Sequence, residues 1–302
     1  MTDDFPEMPD FDPKLTRKAV RRGLVRTTTN VLAVLLALAL VATIGSSLVQ
    51  QRGDRERRMT DVLGTAFKLY NPAYSVAVSD CCETTPLSMS FQVTASPLRP
   101  VGGSWPAAGE TYTISQDFFG RVGRLPLGST AGTRLSVSLF NVGGALAPKE
   151  EVRKVLARLP DGLNALSVVE FAAPLKDAEL KAFLEQNKTC ADKVVYERRT
   201  SSLPITWGEI TWDGGEFSEG KHGCGVGLDN FRTWVGLLRE HDDANLRSFD
   251  LTLDRLRKAA RDGLAYAYVD ELSSVERLRE LIEDPRVRTI RLADATFDLD
   301  RP

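Results

Sequence analysis

The chain has 302 residues, 42% of them hydrophobic, with 39 basic against 41 acidic side chains. That length can build one large domain or two small ones with real cores, and the near-balanced charge argues against nucleic acid as a partner. Only two histidines, His222 and His241, are present, which narrows both metal and acid–base chemistry.

The chain opens MTDDFPEMPDFD, in which Pro6 and Pro9 oppose a helix and Phe5, Met8 and Phe11 stand among five acids. An acidic segment with spaced apolar residues can be a docking peptide that orders on binding, or a solvated tail. Asp12-Pro13 then reads as a helix start, with Asp12 as N-cap and Pro13 in the first turn. Lys14, Arg17, Lys18, Arg21, Arg22 and Arg26 follow, a cluster suited to an anionic lipid surface.

From Thr27 to Gln51 there is no charged residue and no histidine. A bilayer core of roughly 30 Å needs about 20 helical residues, and this Leu- and Ala-rich run supplies them. A cleaved signal peptide over Val31–Ile44, with Gly45-Ser46-Ser47 as cleavage site, is the rival. Its n-region would be too long and opens with acids, and apolar character resumes at Leu48-Val49. The segment therefore reads as an uncleaved anchor in the plasma membrane. Six bases precede the span, whereas Arg52, Arg55, Arg57 and Arg58 follow it, which places the N-terminus in the cytoplasm and the bulk of the chain outside.

Gly53 to Leu69 reads as a helical stalk ended by Asn71-Pro72. Period-two alternation over Leu87–Val93, and again over Leu135–Leu139, predicts short strands separated by Gly- and Pro-rich turns. From Pro148 the pattern alternates. A helix to Leu159 is followed by Asp161-Gly162, a strand Ala165–Phe171 and a helix Asp177–Gln186. The same order returns as a helix Leu253–Arg261, Asp262-Gly263, a strand Ala265–Val269 and a helix Val275–Glu283, before a last strand Val287–Phe297. ARLPDGLNALSVVEF and KAARDGLAYAYVDEL thus read as an internal repeat, with Gly162 and Gly263 in the left-handed position past a helix.

These patterns predict a mixed α+β (α/β) fold, with strand–helix repeats on a sheet behind one transmembrane helix. The expected segments are a cytoplasmic tail at 1–26, the membrane helix at 27–51, a stalk and β-rich segment at 52–145 and an α/β domain at 146–302.

No enzymatic constellation emerges. Gly223-Cys224-Gly225-Val226-Gly227 lacks the spacing of a dinucleotide loop and does not join a strand directly to a helix. Neither a Walker-type loop nor a nucleophile elbow is present, and the carboxylates cluster on helix faces. Neither an enzyme, a cofactor, a metal site nor a small-molecule substrate is expected. The four cysteines, Cys81, Cys82, Cys190 and Cys224, have no zinc spacing; outside a membrane an even count reads as disulfides. Cys190 and Cys224, both in loop-like sequence, are the expected pair. Adjacent cysteines rarely bridge, which leaves one of Cys81 and Cys82 as an expected free thiol.

The basic membrane lead-in RKAVRRGLVRTTTNVLAVLLALAL, the segment FKLYNPAYSV and the two repeat units EEVRKVLARLPDGLNALSVVEFAAPLKDAELKAF and RKAARDGLAYAYVDELSSVERLRELIEDPRVRTIRLADATF together resemble the bacterial family of membrane-bound sigma-factor regulators. The resemblance covers most of the chain apart from the glycine-rich middle and the cysteine segments. It implies an N-terminal region with a membrane helix, a sigma-regulator C-terminal domain outside, and control of an extracytoplasmic-function sigma factor, directly or through a second membrane regulator. The segment before the span ends near Arg26 and contains neither His nor Cys, so it is not a zinc-type anti-sigma domain. Phe5, Met8, Phe11 and Leu15 are the candidate partner-binding residues, and a cell-envelope interaction module without a transcriptional role is the alternative.

Overall fold

The computed structural model describes residues 13–51, 55–100, 109–127, 132–144, 148–198, 202–208 and 227–297. Helix α1 runs Pro13–Gln51 without a break. Within it Val20–Ser46 is long and apolar enough to cross a membrane, with mean hydropathy 2.1, and its apolar window is not buried by the rest of the chain. At 1.5 Å per residue this stretch reaches about 40 Å, more than the ~30 Å of a hydrocarbon core. Its threonines are self-sufficient: Thr27 donates to the Gly23 carbonyl, Thr29 to Val25 and Thr43 to Leu40. No side-chain donor among these three needs water, as an apolar surround requires.

The helical path resumes with α2 (Arg55–Arg58), a π-helical turn (Met59–Gly64) and α3 (Thr65–Tyr70). The sequence suggested a stalk here, and the structure corrects it. Met59, Val62, Leu63, Ala66, Phe67 and Leu69 are all buried. Their spacing wraps the apolar surface around most of the helix, which only a surrounded helix can afford. Asn71 ends it, its side-chain amide and backbone N–H both donating to the Phe67 carbonyl.

Two antiparallel sheets enclose this helix. The smaller has the order β1-β2-β3, from Tyr74–Thr84, Ser88–Pro97 and Glu110–Asp117. Along β2, Met89, Phe91, Val93 and Ala95 are buried at alternate positions, facing the helix core. The larger has the order β6-β5-β7-β4-β8, from Ile205–Gly208, Lys193–Glu197, Leu264–Ser274, Leu163–Lys176 and Val287–Phe297. One connected set of buried residues runs from Met59 to Ile290, so the membrane-proximal helix and both sheets share a core.

Between these elements lie α4 (Arg134–Phe140), α5 (Lys149–Arg158), α6 (Asp177–Asn187), α7 (Leu228–Leu237), α8 (Asp243–Leu246), α9 (Leu253–Asp262) and α10 (Val275–Leu281). The α4 segment is a second correction, since Leu135–Leu139 reads as an alternating strand. Leu135, Ser138, Leu139 and Val142 are the buried positions, which is helical spacing, and Thr133 caps the helix by accepting from the Ser136 N–H. The alternation of serine with apolar residues carries no period because serine at 138 is itself buried.

The repeat becomes two interleaved split β-α-β units, β4-α6-β5 and β7-α10-β8, each closing around a strand of the other. Gly162 and Gly263 both have positive φ, +80° and +56°, as the repeat predicted. Val168 and Val269, which share the glycines' offset along the chain, are paired with each other across β4 and β7. Helices α6, α7, α9 and α10 pack on one face of this sheet, whereas α4 and Ala73 cover Leu166, Val168, Val195, Ala267, Val269 and Ala293 on the other.

Candidate functional site at the membrane-helix junction

The helix 55–70 is gripped along its whole length by polar contacts. At its start Arg55 donates to the Asp117 carbonyl at 2.7 Å, to the Phe118 carbonyl at 3.3 Å and to Gln116 Oε1. One turn on, Arg58 meets Asp242 at 2.6 Å and donates to the Leu237 carbonyl at 3.2 Å, tying the helix to the end of α7. Asp242 also accepts from the Arg239 N–H at 2.6 Å, so its carboxylate bridges two elements. In the π turn, the Trp234 indole N–H donates to the Asp61 carbonyl at 2.9 Å. Burial holds the Asp61 carboxyl above its ordinary range, against the opposing pull of Arg57.

At the far end, Lys193 on β5 reaches over to donate to the carbonyls of Pro72 and Tyr74, both at 2.8 Å. Burial pushes this ammonium down to about 8, opposed by the Glu271 and Asp192 carboxylates. Burial likewise raises Glu271 to about 7, with Asp192 adding to the rise and Lys193 opposing it. Lys68, on the helix itself, is also lowered by burial. Two desolvated groups of opposite sign thus sit where the chain leaves the helix for β1.

The other half of the repeat holds the counterpart. Glu170 and Glu271 share the repeat offset, and Arg291 stands opposite Val168 as Lys193 stands opposite Val269. Glu170 is buried and accepts from Arg291, at 2.5 Å, from Arg288 at 2.9 Å and from the Gly143 N–H at 3.2 Å. Arg291 also donates to the Asn141 carbonyl at 2.9 Å, past the end of α4. The acid–base placement recurs in both halves, as a direct ion pair between Glu170 and Arg291 and as a longer-range attraction between Glu271 and Lys193. One copy fastens α4; the other fastens the loop after the membrane-proximal helix.

A third buried carboxylate is structural. Asp270 accepts from Thr189, from the Ser273 hydroxyl and from the N–H groups of Leu272 and Ser273, while burial raises its pKa. It holds the turn that follows α6, which contains the buried Cys190. A shallow groove of about 330 Å³ between α7 and α9 is lined by Arg232, Val235, Gly236, Leu238, Arg257 and Arg261. Two of its guanidiniums are engaged: Arg257 with Glu240, and Arg232 with Asp229 and the Ala260 carbonyl. Among the described residues no group of His, Cys, Asp and Glu has a metal-binding arrangement.

The expected site residues are placed as follows. Phe5, Met8 and Phe11 lie outside the described residues, and Leu15 is in the first turn of α1. Cys190 is disulfide-bonded, and Cys224, its expected partner, lies outside the described residues. Cys81 and Cys82 stand side by side on β1 with their sulfurs in contact. The peptide between them is cis, which brings the two Cα atoms to 3.1 Å, closer than a trans peptide allows. Gly227 immediately precedes α7, while Gly223, Cys224, Gly225 and Val226 lie outside the described residues. Sequence reasoning missed Lys193, Glu271, Glu170 and Arg291. The repeat contained the signal, since it aligns the two glutamates, but their basic partners come from strands whose pairing is not written locally. Searches against family models, curated proteins and solved structures found no match to this chain.

Proposed function

We propose that the chain is a single-pass membrane regulator, an anti-sigma factor or an accessory to one, controlling an extracytoplasmic-function sigma factor by contact rather than chemistry. The observation that carries this reading is how soon along the chain the core follows the end of α1. Helix α1 ends at Gln51, α2 begins at Arg55, and by Met59 the helix is buried between two sheets. A unit that reports through its anchor needs its packed core close to that anchor, because only differential contacts in two states can shift an equilibrium at a distance.

In this reading the N-terminus is cytoplasmic and the α/β unit lies outside the plasma membrane. The tail touches a sigma factor or a second membrane regulator through Phe5, Met8, Phe11 and Leu15. No catalytic step, cofactor, small-molecule substrate or direct nucleic-acid contact is involved. Four apolar side chains bind weakly unless membrane confinement raises their effective concentration.

The test replaces Phe5, Met8 and Phe11 with Ser and reads sigma-dependent transcripts, with protease digestion of intact spheroplasts reporting topology. Derepression as full as that of a deletion strain, with residues beyond Arg52 digested, is expected. Unchanged transcription at normal membrane levels would favour an envelope interaction module, and digestion of the tail alone would invert the topology and end this reading.

A further inference from the structure

Three large apolar side chains remain in solvent at one end of the small sheet. Phe119 is 84% exposed, Leu87 77% and Phe118 38%. They come from two different turns, one joining β1 to β2 and the other following β3. The register Ser88 opposite Asp117 puts both turns at the same end. The two phenylalanine rings meet edge to face, with centroids 5.7 Å apart. Two contacts place this end in the molecule. Ser46, the last residue of the apolar span, donates its hydroxyl to the carbonyl of Pro86, beside Leu87. Arg55, just past the end of α1, donates to the Asp117 and Phe118 carbonyls. The apolar turns therefore lie level with the point where the span stops, and the exposed Arg121 follows Phe119 by two residues.

We infer that Leu87, Phe118 and Phe119 form a wedge that seats the three-stranded sheet in the interfacial layer of the same bilayer that α1 crosses. Side chains of this type lose water-exposed apolar area when they enter the boundary between headgroups and acyl chains, and a flanking arginine suits the phosphates above it. Because the span is longer than a hydrocarbon core, its last turn and the turns against it belong to the headgroup boundary rather than the bilayer centre. The lipid is chosen over a second copy or a protein partner because the patch is continuous with the end of the span. The wedge gives the sheet a second foothold, so tilting of α1 and movement of the sheet are coupled. It rests on α1 crossing a membrane, which extraction by alkaline carbonate scores separately.

The experiment uses the full chain in nanodiscs of mixed zwitterionic and anionic phospholipid, comparing Phe119→Trp, Leu87→Trp and Val137→Trp. Val137 is exposed on α4, which packs against Ala73 at the opposite end of β1. The emission added by each new indole, over that of the unsubstituted chain, is quenched either by iodide in the buffer or by lipid spin-labelled near the top of its acyl chains. Loss of most of the added emission to the labelled lipid, with little to iodide, is expected at 119 and 87, and the reverse at 137. Iodide quenching at 119 and 87 equal to that at 137 overturns the wedge while leaving the membrane span intact. Protection from both quenchers overturns it in favour of a protein covering. Release of the chain by carbonate removes the span and the wedge together.

Discussion

The recurring acid–base placement makes a sharp demand: the same substitution should be costly at Glu170 and neutral to stabilising at Glu271. Glu170 is buried, meets two guanidiniums and accepts a backbone N–H. Replacing it with Gln keeps one acceptor but strands the positive charge of Arg291. Breaking a buried pair costs ~3–5 kcal/mol, and Arg288, partly open to water, places this case near ~3 kcal/mol. For a unit of this size each kcal/mol is worth roughly 2–4 °C in Tm.

Glu271 is different, because its pKa is raised from 4.5 to about 7, chiefly by burial. The folded state holds a proton that the unfolded chain has already released between those values, so stability falls as pH rises through that window. At about 1.36 kcal/mol per unit of pKa the loss is at most ~3 kcal/mol, the attraction of Lys193 being already contained in the value of about 7. Glu271→Gln should therefore be neutral to stabilising above pH 7, and it should flatten the decline from pH 4.5 to 7. The assay is thermal unfolding of the full chain in nanodiscs across pH, followed by fluorescence, with the buried Trp207 and Trp234 as native reporters. Equal Tm losses for both variants at pH 7.5 would refute the argument that burial, rather than pairing, dominates at Glu271.

Three further outcomes are expected. Phe67→Ala empties a fully buried site on the membrane-proximal helix and should cost ~3–5 kcal/mol, read as a lower urea midpoint. Gly263→Ala should cost more than Gly162→Ala. Both carry the ~1–2 kcal/mol left-handed penalty, but only at 263 would the new Cβ meet Leu228, at 2.7 Å, adding ~1–3 kcal/mol. A Cys190–Cys224 disulfide should appear in a non-reducing peptide map and stabilise by ~3–4 kcal/mol in the chain-entropy view; both recovered as alkylated free thiols would remove that pairing.

Much of the architecture is legible in the sequence, because its signals are local. A charge-free run long enough for a bilayer, a Gly after each repeat helix and amphipathic periods around 149–187 and 253–297 need no knowledge of distant residues. Hence α1, the two β-α units and β8 lie where their patterns put them. The helix at 55–70 is apolar enough to be core, but no local signal tells a stalk from a helix that two sheets will surround. RLSVSLF satisfies both periods until a sheet face arrives to bury Leu135, Ser138 and Leu139. The junction depended most on tertiary structure. Lys193 is one lysine among many in the sequence, and becomes distinctive only because strand order sets β5 beside β7 and brings its ammonium to the carbonyls of Pro72 and Tyr74. Burial, a property of the assembled fold and not of the residue, shifts Lys193 and Glu271 from ordinary surface charges into the range where pH can act on them.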